Sequence, residues 1–449
     1  MSTKPPSGTR DFLPDDVRRR EYVVGVVRDV YERYGFEPLE TPAFENVETL
    51  LGKYGEEGNK LIFKILRRGE HEARGETDLA LRYDLTVPLA RVVAQYQHEL
   101  PKFFKRYQIQ PVWRADRPAR GRFREFYQCD IDAIGSTSLV VEADLLGAVS
   151  EVMSRLGFDD FTIRLNHRRA LTAILDCAGV PAALHADALV ALDKLDKIGI
   201  EGVQKELHAR GVDERAMRAC FEFFSGLSRV DPRTGALDRL REFVRKHHEG
   251  PTVVSALDEL AVLAEGTAAH GRIRIDPSLA RGLSYYTGAI MELAVPDLTG
   301  SLGGGGRYDN LIGMFLGRDV PACGFSLGLE RIIVVMSERK MFPASVAGAP
   351  VDVMVTIWSR DTRGDALALA ADLRRANLRV DIYPEADRIG KQFKFASSRN
   401  VPLVAVIGDD ERLRNEVAIK DLRTGEQTSV PRTDVARVIT GMRKLNPEP

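Results

Sequence analysis

The sequence has few cysteines, and their spacing excludes two classes of small stabilised protein. The 4 cysteines are Cys129, Cys177, Cys220 and Cys323, and no two of them form a CxxC pair. Structural zinc sites and disulfide frameworks both need closely spaced cysteines. The sequence therefore predicts a fold that is held by its apolar core, in a reducing and cytoplasmic setting.

Long apolar runs and an excess of charge of one sign are also missing. No apolar run is long enough to cross a membrane, and the first residues, MSTKPPSGTRDFLPDDVRRR, lack the apolar segment of a secretory signal. The formal net charge is −1, so any nucleic-acid partner must be bound by local basic patches. The 449 residues, 44% hydrophobic and 29% charged, indicate a globular protein of about three domains without membrane contact.

The most informative stretch is residues 103–135, FFKRYQIQPVWRADRPARGRFREFYQCDIDAIG. Apolar and polar side chains alternate in both halves, and the polar segment ADRPARGR separates them, which predicts two strands joined by a loop. Side chains two positions apart share a face of a strand. One face would carry Arg122, Arg124, Phe126, Gln128, Asp130 and Asp132. Such a row could hold a nucleotide and a small zwitterion, although a hairpin with one solvated face is the commoner explanation.

This stretch resembles motif 2 of the class II aminoacyl-tRNA synthetases, and FYQCDID is similar to the histidyl-tRNA synthetase form of it. Other family stretches follow in the expected order. YGFEPLETPAFENVETL, with Pro42, resembles motif 1; ARGLSYYTG and GGGGRYD resemble the two histidine-specific motifs; CGFSLGLERIIVVM resembles motif 3. The matches span nearly the whole chain, so the sequence is identified as a member of this family.

Two of these stretches also have simpler explanations. Asp84 and Thr86 in LRYDLTVPLARVVA would share one side of an extended backbone and suit an ammonium group, or would cap a helix predicted from Val87 to Gln97. The glycine run at 303–306 predicts a turn that a ligand can approach closely. ARGLSYYTG departs from the family's RGLDYYTG at Ser284, which puts the role of the family's aspartate in doubt.

The resemblance implies a role for each site residue. The catalytic cations would be Arg281 and Arg114. The histidine site would comprise Asp84, Thr86, Arg114, Gln128, Asp132, Arg281, Tyr285, Tyr286 and Tyr308. The ATP site would comprise Arg114, Asp116, Arg122, Phe126 and Arg331. ATP is then a substrate and Mg²⁺ its companion ion, with no protein ligand to the metal identified.

The resemblance implies an α+β fold: a class II synthetase catalytic core on an antiparallel sheet, a helical insertion, and a C-terminal α/β anticodon-binding domain. We place the core at 1–165 and 251–340, the insertion at 166–250 and the last domain at 350–449. Alternating strand and helix patterns after residue 350 predict a mostly parallel sheet covered on both faces. Its basic residues Lys391, Lys394, Arg399, Arg412 and Arg414 could contact phosphates, but nearby acids make a solvated surface the default for each.

The implied function is that of a histidine–tRNA ligase. It would activate histidine with ATP as histidyl-adenylate and transfer the acyl group to the 3′ end of tRNA-His, as a homodimer joined through the motif 1 region. The alternative is a non-catalytic, synthetase-like regulatory subunit of histidine biosynthesis; such paralogues typically lack the catalytic arginine stretch and the C-terminal domain, and both are present here. A sister synthetase for another amino acid is opposed by YQCDID and ARGLSYYTG.

Overall fold

A computed structural model describes residues 3–227, 230, 235–247, 251–281, 285–347, 349 and 351–445. The chain separates into two compact units, Met1–Met341 and Phe342–Pro449. Ser284, the position that departs from the family pattern, lies outside the described residues. No helix in the described part is long and apolar enough to cross a membrane.

The strands of the first unit are named here in chain order. They are β1 (Glu37–Pro38), β2 (Phe44–Asn46), β3 (Lys64–Leu66), β4 (Thr77–Leu81), β5 (Phe104–Trp113), β6 (Glu125–Ile134), β7 (Thr162–His167), β8 (Ile273–Ile275), β9 (Ala289–Ala294), β10 (Gly303–Arg307) and β11 (Ala322–Gly328). Within the described residues, eight of them form one sheet in the order β1-β5-β6-β11-β10-β9-β7-β8, and β2-β4-β3 form a small second sheet.

The large sheet is mostly antiparallel, as predicted. Only the two outermost pairings, β1 with β5 and β7 with β8, are parallel among the described strands. The strand–loop–strand prediction for residues 103–135 is confirmed, because β5 and β6 pair in antiparallel register from Phe104 and Ile134 to Trp113 and Glu125. Arg122 and Arg124, which were expected on the face of the second strand, precede β6 and belong to the loop.

Helices cover the sheet and fill the connections. The described helices of this unit are α1 (Pro14–Arg33), α2 (Val47–Leu50), α3 (Gly55–Lys60), α4 (Thr86–Gln95), α5 (Val140–Arg155), α6 (Arg168–Ala178), α7 (His185–Leu192), α8 (Leu195–Ala209), α9 (Glu214–Leu227), α10 (Gly235–His247), α11 (Pro251–Glu265), α12 (Gly313–Leu316) and α13 (Leu329–Glu338). Helices α1 and α13 pack on β6, and α5 packs on β6 and β11.

The alternation of β6 explains why one face carries helices and the other a site. Cys129 and Ile131 are fully buried, and the carbonyl of Cys129 accepts a hydrogen bond of 3.1 Å from the hydroxyl of Tyr31 on α1. The intervening side chains, Gln128, Asp130 and Asp132, therefore project to the opposite face. That face is left uncovered by α1 and is available for a ligand.

The helical run between β7 and β8 extends from α6 through α11. Helix α11 starts at Pro251, in the stretch that the sequence assigned to the core, and ends at Glu265. It packs on α6 and α10 and also on β7 and β8. Helix α11 thus connects the helical run to β7 and β8 at the edge of the large sheet.

Two local predictions are wrong. Residues 303–306 do not form a turn: they lie in β10, which pairs with β9 on one side and β11 on the other. A side chain on Gly305 would collide with the carbonyl oxygen of Gly324 on β11, so glycine here permits close packing of strands. Asp84 and Thr86 do not share an extended backbone either, because Leu85 has φ −103° and ψ −7° and α4 begins at Thr86.

The second unit is a mixed sheet with helices. Its elements are β12 (Val353–Val355), α14 (Arg363–Arg375), β13 (Val380–Ile382), α15 (Ile389–Ser398), β14 (Leu403–Val406), α16 (Asp409–Arg414), β15 (Glu416–Asp421), β16 (Gln427–Pro431) and α17 (Val435–Leu445). The expectation of a mostly parallel sheet is wrong: in the order β13-β12-β14-β15-β16, the first two pairings are parallel and the last two antiparallel. The short connection from Asp421 to Gln427 explains the antiparallel pairing of β15 with β16, whereas β14 and β15 are joined through α16.

Candidate active site

All the predicted site residues line one cavity of ≈ 1030 Å³ in the first unit. The cavity lies on the open face of β6, β11 and β10. From Asp132, which is paired with Gly324, to Gln128, which is paired with Gly328, the strands run four residues, or about 13 Å. The cavity is therefore long enough to hold two ligand groups side by side. We call the part around Asp132 the inner end and the part around Arg331 the outer end.

Asp132 is held between a phenol and a guanidinium. The hydroxyl of Tyr308 donates a hydrogen bond to Asp132 Oδ1, and Arg106 Nη2 lies 2.9 Å from Asp132 Oδ2. The second contact is an ion pair without hydrogen-bond alignment, so Asp132 Oδ2 has no donor among the described residues. Asp132 is 3% exposed. A buried carboxylate oxygen is thus left to accept a hydrogen bond from a ligand.

The inner end concentrates negative charge. Asp84, Asp130 and Asp132 are all buried there, and burial raises the pKa of each, with Arg106 lowering it only in part. For Asp130 the pKa rises to about 7, and the neighbouring Asp132 adds to the effect of burial. A positively charged ligand would relieve this cost, because an opposite charge favours the ionised carboxylates.

The amide of Gln128 is oriented toward the cavity by Ser326. Gln128 Nε2 donates to Ser326 Oγ at 2.8 Å, which leaves Gln128 Oε1 buried and without a donor in the described structure. Asp84 Oδ1 accepts from Tyr54 Oη at 2.9 Å and from the backbone N–H of Val87 at 3.1 Å. Asp84 therefore caps α4, as one of the two explanations considered for it predicted, and it also lines the cavity.

Aromatic rings close the inner end. The rings of Tyr285 and Tyr286 meet edge to face with centroids 4.6 Å apart, and the ring of Tyr308 is 6.4 Å from that of Tyr285. Burial raises the pKa of all three phenols. They remain protonated at neutral pH and can donate hydrogen bonds inside an apolar wall.

Three arginines converge at the outer end. Arg331, in the first turn of α13, reaches the carbonyls of Ser301 and Gly121. Burial and the charges of Arg281 and Arg122 lower its pKa. Repulsion among neighbouring guanidinium groups is relieved by an anion, and planar guanidinium groups suit phosphate. The outer end therefore has the electrostatics of a polyphosphate site.

The middle of the cavity carries a guanidinium over aromatic rings. Arg114 donates from Nε to the carbonyl of Tyr83 at 3.0 Å, and its Cζ lies 4.2 Å from the Tyr83 ring and 5.2 Å from the Phe126 ring. Arg122 pairs with Asp116 at 2.7 Å. Phe126 thus lies where a flat base can stack beside fixed cations.

Sequence reasoning missed the residues that hold these groups in place. Arg281 Nη1 donates to Glu292 at 2.8 Å and to Ser301 Oγ at 2.7 Å, and Glu292 also binds Arg164 at 3.0 Å. Glu292 could have been found as the one charged residue in the apolar strand AIMELA. Arg106 could have been found only from strand register, which places it opposite Asp132.

The basic residues considered in the second unit are mostly paired with acids. Lys391 pairs with Asp387, Arg399 with Asp381, Arg412 with Asp365 and Arg414 with Glu416. Each of these pairs is at the surface, where an ion pair is weak and can exchange for another anion. The pairing is that of a solvated surface, which was the default expectation.

The chain matches two known families that together span most of its length. Residues 8–332 match the histidyl-tRNA synthetase family, and residues 352–442 match the anticodon binding domain. The histidine–tRNA ligase of Flavobacterium johnsoniae is 40% identical over 98% of this chain and 100% of its own length. Similarity therefore extends through both units.

Two solved structures bear on the fold. The histidyl-tRNA synthetase of Nostoc sp. PCC 7120 superimposes with a TM-score of 0.81 at 31% identity, over 98% of this chain and 100% of that one. A protein of Bacillus halodurans C described as an ATP phosphoribosyltransferase regulatory subunit/histidyl-tRNA synthetase has a TM-score of 0.72 at 21% identity, over 88% of this chain and 96% of that one. The second similarity shows a shared fold alone.

Proposed function

Because the chain belongs to the histidyl-tRNA synthetase family of class II synthetases and is a histidine–tRNA ligase, we propose that its cavity binds histidine at the inner end and ATP at the outer end. The ligase reaction uses histidine, ATP and tRNA-His. The alternative of a non-catalytic regulatory subunit is disfavoured by the full-length ligase relatives and by the anticodon-binding match. What remains to be proposed is the role of each residue.

One observation carries the assignment of the two ends: buried acceptors without donors lie at one end, and converging cations lie at the other. At the inner end, Asp132 Oδ2 and Gln128 Oε1 are buried acceptors that lack a donor among the described residues. The ammonium group and imidazole N–H of histidine supply donors of this kind. The ATP phosphates would neutralise the repulsion among the outer arginines.

For histidine, we assign the imidazole to Asp132 and the tyrosines, and the α-amino group to Asp84, Thr86 and Gln128. Asp132 is fixed by Tyr308 and Arg106, so Oδ2, the oxygen that lacks a hydrogen-bond donor among the described residues, has a defined direction. A pocket that hydrogen-bonds both ring nitrogens rejects analogues lacking them by roughly 10⁴-fold or more. Selection by a single binding step would then suffice without editing.

For ATP, we assign the adenine to the face of Phe126 and the phosphates to Arg331. Arg122 and its ion-pair partner Asp116 would complete the ATP site. Arg114 and Arg281 would flank the α-phosphate and the histidine carboxylate. In the first step a carboxylate oxygen of histidine attacks the α-phosphorus, the bond to the β-phosphate oxygen breaks, and pyrophosphate leaves. In the second, the acyl group moves to a ribose hydroxyl at the 3′ end of tRNA and AMP leaves. Charge builds on phosphoryl oxygens in the first step, so preorganised cations matter more than a general base.

Magnesium would enter with the phosphates. Among the residues described, no three or more His, Cys, Asp or Glu side chains are grouped as a metal site. We expect the ion to be held chiefly by phosphate oxygens and water. When bound, the ion would neutralise phosphate charge.

The wider organisation is also proposed. We retain a core, a helical insertion and an anticodon-binding domain with the limits given from the sequence. We propose a cytoplasmic homodimer joined through the motif 1 region. Its support is that β1, at the edge of the large sheet, has both residues exposed, and that Phe44 on β2 is 51% exposed, as an apolar side chain at a subunit interface would be in a single chain.

The assignment of both ends can be tested by ATP–pyrophosphate exchange with a panel of amino acids. We expect exchange with histidine alone. Gln128→Ala should raise the KM for histidine and leave the KM for ATP within about twofold, and Arg331→Gln should do the reverse. If both variants raised both constants equally, the assignment of separate ends would be wrong.

A further inference from the structure

Residues 6–12, which we call the N-terminal strap, lie against the loop of residues 114–124 that joins β5 to β6. The backbone N–H of Arg124 donates to the carbonyl of Gly8 at 2.8 Å, and Arg124 Nη1 donates to the carbonyl of Ser7 at 3.2 Å. The strap precedes α1 in the chain, more than a hundred residues from the loop. It is therefore a tertiary contact and not a local turn.

Arg124 extends this contact to the outer end of the cavity. Its Nε donates to the carbonyl of Asp116 at 3.1 Å, and the carboxylate of Asp116 pairs with Arg122 at 2.7 Å. Asp116 and Arg122 both line the cavity. One guanidinium thus connects the strap to two residues proposed to bind ATP.

The strap has a shape of its own that only glycine allows. Gly8 has φ +86°, and a Cβ at this position would lie 2.7 Å from Cγ of Arg124. The turn is closed by Thr9, whose backbone N–H and Oγ1 both donate to the carbonyl of Pro6, at 3.0 and 2.8 Å. Any larger residue at Gly8 would strain the backbone and displace Arg124 together.

A second set of contacts fastens the other half of the strap. The Arg10 guanidinium lies 3.6 Å from the centroid of the Phe123 ring, and that of Arg20 on α1 lies 4.1 Å from the Phe12 ring. Arg20 also pairs with Glu330 at 2.8 Å, with 11% and 3% of the two side chains exposed. Glu330 is in the first turn of α13, next to Arg331. The strap therefore joins the loop to the helix that carries the outermost arginine.

We propose that the N-terminal strap is a positioning element for ATP, which holds the β5–β6 loop in its binding conformation before ATP arrives. The loop is polar and rich in arginine, so in isolation it would sample many conformations, and ordering it would reduce affinity. None of residues 6–12 lines the cavity, so the strap provides that order without occupying the ATP site. Gly8, Arg10 and Arg124 act through other residues, so they are positioning residues. The inference rests on the proposed assignment of Asp116 and Arg122 to ATP.

The first test measures the loop itself. The sequence ADRPARGRFR offers several arginines to trypsin, so cleavage in the loop reports its mobility. Gly8→Ala should speed tryptic cleavage within residues 114–124 by about tenfold, with ATP restoring protection. The matched control is Gly25→Ala, which adds the same methyl group on the exposed side of α1, where nothing lies within 4 Å. It should be cleaved like the wild type.

The second test measures ATP–pyrophosphate exchange with the full chain. Gly8→Ala should raise the KM for ATP about tenfold and leave kcat and the KM for histidine within about twofold, because the histidine groups lie on strands and on α4. Arg10→Ala should raise the KM for ATP several-fold, and Arg10→Lys, which keeps a cation over the Phe123 ring, should restore it. If the strap were purely structural, the variants would instead lower the melting temperature and impair kcat and both KM values together.

The outcomes separate the inference from its premise. Wild-type cleavage rates in both Gly8→Ala and Arg10→Ala would overturn the strap's hold on the loop. Faster cleavage with an unchanged KM for ATP would show that the loop does not bind ATP. The premise would then be wrong, and the inference with it. If Gly8→Ala failed to fold, the Arg10→Ala and Arg10→Lys pair would still decide the question, because neither substitution strains the backbone.

Discussion

Arg106 on β5 lies directly opposite Asp132 on β6, with Nη2 2.9 Å from Oδ2. Both residues are buried, and the same guanidinium lies 4.0 Å from Asp130. One cation therefore serves two carboxylates beneath the inner end of the cavity. The charge that remains unbalanced is what a histidine ammonium or imidazole group would meet.

The substitution Asp132→Asn should raise the KM for histidine by roughly 10- to 100-fold, because a charge-assisted hydrogen bond contributes about 1.5–3 kcal/mol. The affinity for tRNA should change little, since Asp132 lies on the floor of the cavity. Pyrophosphate exchange and a filter-binding assay measure the two. Asp78→Asn, at an exposed residue paired with Arg67, is the control for loss of a carboxylate. An unchanged KM would remove Asp132 from the histidine site.

The substitution Arg281→Ala should lower the kcat of adenylate formation by about 10²–10³, because removing one preorganised charge-stabilising group costs about 3–4 kcal/mol in the transition state. The side chain is 38% exposed, so the melting temperature should stay near that of the wild type. Rapid-quench measurement of adenylate and thermal unfolding give the two values.

Arg274→Ala is the matched control for Arg281. Arg274 lies on β8 of the same sheet and donates to the carbonyls of Gly271 and Ile273, outside the cavity lining. It should form adenylate at the wild-type rate. An Arg281 variant that melts early but retains this rate would make Arg281 a structural residue.

Two glycines of β10 should respond differently to alanine. A methyl group on Gly304 would lie 2.6 Å from Arg281 Nη1, the mobile end of a side chain, whereas one on Gly305 would meet the backbone carbonyl of Gly324. Gly304→Ala should keep its stability and lose kcat by displacing Arg281. Gly305→Ala should lose about 1–3 kcal/mol of unfolding free energy, the cost of overpacking. Denaturant titration measures the stability of both variants, and pyrophosphate-exchange kinetics measure their kcat. Identical behaviour of the two variants would contradict this prediction.

The stability of the empty enzyme should carry a pH dependence that originates at Asp130. Burial raises the pKa of this carboxyl to about 7, whereas an unfolded aspartate has a pKa of about 3.9. Between those values the folded state holds a proton that the unfolded state releases, so this contribution lowers the unfolding free energy as pH rises. The full cost, at most about 4 kcal/mol, is present above the folded pKa.

The substitution Asp130→Asn should therefore stabilise the ligand-free protein at pH 8 relative to pH 4, measured as the difference from the wild type in urea unfolding. Asp410→Asn, at the surface of α16, should show no such difference. If Asp130→Asn had the same effect on stability at both pH values, folding would not raise the pKa of this carboxyl.

A chain ending at Ala347 should keep histidine-dependent exchange and charge tRNA poorly. The cavity is formed entirely by residues of the first unit, which ends at Met341, and the second unit matches an anticodon binding domain. Exchange and aminoacylation assays on the purified fragment measure the two activities. Full charging efficiency would show that the second unit does not contribute to tRNA binding.

Local pattern was enough to predict β5, β6 and the loop between them, because alternation and turn residues act over a few positions. The family motifs predicted the composition of the site, and the fold brings these residues, from Asp84 to Arg331, to one cavity. Register is a property of the folded sheet, so the pairing of Arg106 with Asp132 could not be read from either strand alone. The same limit explains β10: a run of glycines suggests a turn until the neighbouring strands that need the space are known.

The bare backbone of β10 limits how the substrate preference of this enzyme can change. Its cavity-facing positions can only gain atoms, and those atoms would meet Arg281 at Gly304 or the carbonyl of Ala289, 2.5 Å away, at Gly306. New specificity would therefore have to evolve through the walls, at residues such as Tyr286 and Gln128, while this surface stays constant. The backbone of β10 thus limits how thick a ligand can be at this face of the cavity, and it is the part of the site that tolerates mutation least.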